Sequence, residues 1–189
     1  MSPLIESLGG AHGFGLFAAS GGTPIVGAYD ALATVTVPSG GSSSITFSGI
    51  PGAYTHLQLR SFSGTTGAGD IFLRINGDTS SNYYSHLLYG TGSSANAYST
   101  SGTASYWMVG NSYGTANAFG AAITDILDYA NINKNKTLRA LYGYDTNGAG
   151  QLNFGSSLWN STSAINSLTI YPQSGNLIQY SSFALYGVK

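Results

Sequence analysis

Residues 51–62 read PGAYTHLQLRSF, and this stretch decides the fold. A Pro-Gly turn opens it, after which Leu57 and Leu59 alternate with His56, Gln58 and Arg60. Period-two alternation sends the leucines to one face of a strand and the polar side chains to the other. Upstream, residues 43–47 (SSITF) read as a partner strand, reached through Ser48-Gly49-Ile50-Pro51-Gly52. Downstream, residues 70–75 (DIFLRI) place Ile71, Leu73 and Ile75 on one face and Arg74 on the other. Three successive strands, each apolar on one side only, predict antiparallel sheets packed face to face.

The same pattern extends outward. Further strands are expected at 32–37, 83–89, 105–109, 119–127, 137–144, 151–154, 167–171 and 182–188. Residues 119–127 (FGAAITDIL) also admit a short helix, but Ile123, Thr124 and Ile126 favour a strand. Turns fall at Pro38-Ser39-Gly40-Gly41, Asn76-Gly77-Asp78, Asn147-Gly148-Ala149-Gly150 and Ser174-Gly175-Asn176, each with residues that tolerate positive φ. Asn76-Gly77 fits a type I′ hairpin turn better than a calcium loop, whose other oxygen ligands are missing nearby. Short strands at regular spacing indicate a sandwich or barrel. The expected fold is an all-β antiparallel β-sandwich, jelly-roll-like, spanning 28–189, with an extended N-terminal arm at 1–27. Its core should gather Leu57, Leu59, Ile71, Leu73, Ile75, Leu168, Ile170, Phe183 and Leu185.

Two stretches, 91–103 (TGSSANAYSTSGT) and 110–118 (GNSYGTANA), read as long polar loops around Tyr98 and Tyr113. Hydroxyl and amide side chains there compete with a helix for the backbone. Loops of that length are either solvated or interfacial. A triplet recurs as Leu88-Tyr89-Gly90, Leu141-Tyr142-Gly143 and Leu185-Tyr186-Gly187. Its spacing is too uneven for a repeat architecture, so it reads as strand punctuation.

Composition narrows the partners. Of 189 residues only 7% are charged, against about 25% in ordinary globular chains. The 13% aromatic content argues for a packed core all the same. A net charge of −1 provides no basic footprint for nucleic acid or anionic lipid. Without cysteine there is no disulfide framework and no thiolate metal site. Residues 1–20 lack Lys and Arg, and glycines break their apolar residues, unlike a signal peptide. No apolar run approaches the ~18 residues of a membrane helix. The expectation is a soluble protein, not exported by the general route, with no membrane partner.

The glycine-dense segment 1–22 carries Leu4, Ile5, Leu8, Phe14, Leu16 and Phe17. It reads either as a frayed tail or as an arm that orders against a neighbouring subunit. Exposed Phe14 and Phe17 would invite aggregation, which favours the arm. Leu4, Ile5, Leu8, Phe14 and Phe17 are its candidate partner contacts.

Chemistry is sparse. His12, His56 and His86 have no second His at metal-ligand spacing, and each reads as a structural or surface residue. Asp125 and Asp128 point to opposite faces if their segment is a strand, and so cannot pair as a glycosidase couple. No nucleophile elbow, dinucleotide fingerprint or Walker sequence is present. Arg60, Arg74 and Arg139 fall inside strands, as cross-strand hydrogen-bonders or ion-pair partners. Trp107, Trp159, Tyr83 and Tyr84 are possible sugar platforms, although the same composition describes a subunit interface. No catalytic residue, metal ligand or cofactor is assigned.

Five stretches carry a resemblance: MSPLIESLGGAHGFG (1–15), GIPGAYTHLQLR (49–60), INGDTSSNYYSHLLYG (75–90), ILDYANINKNKTLRALYGYD (126–145) and YSSFALYGVK (180–189). Together they resemble a family of tailed-bacteriophage virion proteins, small β-sandwiches of structural gene clusters. The resemblance implies a non-enzymatic role and a virion location. That role would be capsid decoration (cement), or else a tail or fibre component that binds a host glycan. It implies contacts with major capsid or tail proteins and carries no active-site residues. Homo-oligomers, as trimers, are expected by analogy with jelly rolls in viral shells.

Overall fold

The structure, a computed structural model, describes residues 27–189. The expected arm therefore lies outside the described residues except for its last position. The stretch that sets the alternation becomes β3 (His56–Ser63), with Leu57 and Leu59 fully buried. It pairs antiparallel with β12 (Ser182–Val188) on one side and β8 (Gly120–Leu127) on the other. The helical alternative for 119–127 is thereby excluded.

The expected pairing of residues 43–47 with this strand is not found. That segment, β2 (Ile45–Ser48), lies in the opposite sheet beside β11 (Ser167–Pro172). The seven residues 49–55 are too many for a tight hairpin and instead carry the chain across the sandwich, with Ile50 turned into the core. Asn76-Gly77 behaves similarly. Both residues have positive φ, as a type I′ turn requires, yet the turn closes no hairpin. It leads from β4 (Ala68–Ile75) in one sheet to β5 (Tyr83–Gly90) in the other. The Asn76 amide donates to Ala164 O at 2.8 Å and accepts the amides of Asn166 and Ser167, which fixes the entry to β11.

Residues 91–103, expected as a loop, contain β6 (Ala95–Ala104), paired with β5 along its length. An edge strand with little buried surface needs no apolar alternation, because its backbone bonds define it. The second expected loop is likewise strand at its start, since β7 runs Trp107–Tyr113.

The remaining strands are β1 (Tyr29–Thr36), β9 (Lys136–Asp145) and β10 (Gly150–Trp159). The larger sheet has the order β1-β12-β3-β8-β9-β10-β5-β6, and the smaller β2-β11-β4-β7. Two hairpins, β5–β6 and β9–β10, are additions. Without them the described chain alternates between sheets at every step but one, β4 and β7 pairing with each other in the smaller sheet, while the first described strand lies beside the last and the second beside the last but one. That is jelly-roll order. The hairpins pair with each other through β10 and β5 and widen one sheet by four strands. All nine expected core residues lie between the sheets at no more than 2% exposure.

Candidate functional site

The titratable groups are dispersed. His56 Nδ1 accepts the Asp128 main-chain N–H at 3.0 Å, and Asp128 pairs with Lys134. The Lys134 ammonium holds the Asp128 carboxyl below its usual range. Asp125 instead accepts from the Gln58 amide at 2.8 Å, and Gln58 in turn accepts from Arg60 Nε at 2.7 Å. The Arg60 guanidinium lies over the rings of Tyr29 and Tyr186. Asp125 and Asp128 thus serve separate networks. Arg74 donates to Tyr171 Oη at 2.8 Å and stacks over that ring. His86 sits on the solvent side of β5, and His12 lies outside the described residues. Among the described residues no three His, Asp or Glu side chains gather to hold a metal.

The aromatic platforms are corrected by their burial. Trp107, Tyr83 and Trp159 are core residues, so no sugar can stack on them. Burial pushes the Tyr83 hydroxyl up to about 12, and it accepts the Ile75 amide at 3.0 Å. Trp159 Nε1 donates to Asp78 at 2.8 Å. Tyr84, only half-buried, packs where any side chain at Gly102 would collide with its ring. The two tyrosines of the expected loops are exposed: Tyr98, and Tyr113, which stacks on Tyr144 at 5.4 Å.

The feature sequence reasoning missed is the solvent face of the widened sheet. Read across the strands, Arg60, Ile123, Leu141, Phe154 and Leu88 are neighbours in one row. Two residues along, Phe62, Ala121, Gly143, Leu152 and Gly90 form the next. The six large apolar side chains of these rows are 47–63% exposed. A third row, Gln58, Asp125, Arg139, Ser156 and His86, is polar and bounds the patch on one flank. Because Ala121, Gly143 and Gly90 are small, an open groove of about 970 Å³ runs over the second row. Phe62, stacked on Phe119 at 4.9 Å, walls one end.

An outer sheet face in water ordinarily carries the polar half of the alternation. Here β10 reverses it. Leu152 and Phe154 point out, whereas Asn153 and Ser157 point in, Ser157 bonded to Ser85 at 2.8 Å. The signal was legible in Ala140-Leu141-Tyr142, a run apolar in both parities, which is what a strand covered on two faces looks like.

Compared with protein-family models, with curated proteins and with solved structures, the chain matches none. Leu4, Ile5, Leu8, Phe14 and Phe17, the candidate arm contacts, lie outside the described residues.

Proposed function

We propose that this chain is a non-enzymatic structural protein of a bacteriophage virion, acting as a capsid decoration (cement) protein. The observation that carries the reading is the apolar outer face on a jelly-roll sandwich. Six large side chains left half in water are unfavourable unless another protein surface covers them. A cement protein spends its working life packed against neighbours. The low charge suits such packing, since few ions must be desolvated when surfaces meet. On this reading residues 1–22 supply a second contact, to a major capsid or tail protein, through Leu4, Ile5, Leu8, Phe14 and Phe17.

The test is made on particles. Virions purified by density gradient from a lysate in which the gene is expressed should contain the chain at a regular copy number. Particles lacking it should assemble but release their genome at lower temperature. A chain found only in the soluble fraction, with particles unchanged by its deletion, overturns the reading.

A further inference from the structure

We propose that two copies of this chain pack face to face through the outer face of the widened sheet, related by a two-fold axis lying between its two apolar rows. The pattern of large and small residues points to that axis. On β8, β9 and β5 the first row carries Ile123, Leu141 and Leu88, and the second carries Ala121, Gly143 and Gly90. A two-fold axis parallel to the rows and midway between them places the first row of one copy over the second row of the other. Ile123 and Leu141 of each copy then fill the groove over Ala121 and Gly143 of its mate. A ridge beside a groove on one face is self-complementary under that operation alone.

The charges follow the same symmetry. Along β9, Arg139 lies two residues before Leu141, and Asp145 two residues after Gly143. The axis that seats Leu141 over Gly143 therefore brings Arg139 of one copy over Asp145 of the other, twice per dimer. Both side chains are exposed, and neither is in an ion pair with another described residue. The Asp145 carboxylate accepts the Asn147 amide at 2.7 Å, which holds it at the mouth of the hairpin. The two rows contain no carboxylate, and their one charged side chain, Arg60, is engaged by the rings of Tyr29 and Tyr186 and by the Gln58 amide oxygen at the edge of the patch.

The area is of the right order. The six half-exposed side chains offer roughly 500 Å² of apolar surface, the core of an interface that typically buries ~800 Å² per partner. Packed sheets cross at about 30°, so the register is tightest at the middle of the patch, on β9; on neighbouring β10, where both rows are large, Phe154 of each copy meets Leu152 of its mate. A two-fold pair, not the trimer expected by analogy with viral shells, fits this pattern.

The proposal is independent of where the protein resides and is tested in solution with the full chain. Sedimentation velocity between about 1 and 200 µM should show a reversible dimer. Leu141→Lys, at an exposed position, should weaken it by about 100-fold without changing the circular dichroism. Arg139→Asp and Asp145→Arg should each weaken the homodimer by about tenfold, since each sets like charges face to face twice. Mixed together, these two variants should form a heterodimer close to wild type in affinity, because both contacts become attractive again. A folded chain that stays monomeric overturns the proposal; coverage of the groove by residues 1–26 of the same chain, or by a different protein only, gives that result. A dimer indifferent to Leu141→Lys overturns the face. Failure of the mixture to recover overturns the two-fold register.

Discussion

Lys136 is fully buried on β9, and its ammonium donates to the main-chain carbonyls of Asn131, Lys134 and Thr162. Burial pushes its pKa down, yet the three carbonyls satisfy every donor it has. Lys136→Met keeps the stem but leaves those carbonyls unpaired, and should cost about 3 kcal/mol in chemical denaturation. A loss under about 0.5 kcal/mol would mean that water takes the ammonium's place. The residue was findable from the sequence, since it shares the parity of Leu138 and Ala140, but a lysine does not advertise the core. Asp78 is the acid counterpart. Burial opposes its ionisation, but hydrogen bonds from Asn82, Trp159 and Ser80 outweigh this and hold its carboxyl at about 2, below the ordinary 3.8. A depressed folded-state value stabilises the fold above pH 3.8, and the benefit fades as the pH falls toward 2. Asp78→Asn should therefore flatten the loss of thermal stability between pH 5 and 2, an effect on the order of 1 kcal/mol after solvent screening. An unchanged acid profile would assign that loss to other carboxylates. Leu73, by contrast, was read correctly from alternation alone. Leu73→Ala should cost ~2–5 kcal/mol, and a loss below half a kilocalorie would contradict its burial.

Strands that bury one face were legible as strands, because burial writes period two into the sequence. Partnership between strands was not. The segment 43–47 reads as a neighbour of β3, although only the span of residues 49–55 separates a hairpin from a crossing. The three Leu-Tyr-Gly triplets show that local text does not fix phase. Tyr142 points into the core and Leu141 out, whereas Leu185 points in and Tyr186 is half-exposed. β6 was unreadable for a different reason: it pairs with β5 alone, and most of its described side chains face water. Such an edge should open readily. In hydrogen exchange on the isolated protein, β6 amides should exchange at least about 100-fold faster than those of β8 and β9, which are paired on both sides. Equal protection would mean that another chain already occupies the free edge.

At the scale of the molecule, the antiparallel sandwich was anticipated from strand alternation and spacing and its jelly-roll order from the resemblance to virion proteins, but the extra hairpins and the face they build were not. Their apolar pattern has meaning only once strands distant in the chain are set side by side. Residues 1–22 belong to this scale too, as the proposed link to other virion proteins. Deleting them should shift the thermal midpoint of the purified protein by less than about 2 °C while abolishing incorporation into particles. Normal incorporation, or a much lower midpoint, would remove the assembly role. The last strand of the chain, β12, is inserted between β1 and β3. On a ribosome, β1 therefore waits beside a gap until residues 182–188 emerge, and the larger sheet is split until then. Closure of the larger sheet depends on residues 182–188, and a chain truncated before them leaves β1 and β3 unjoined, fit for proteolysis and not for use.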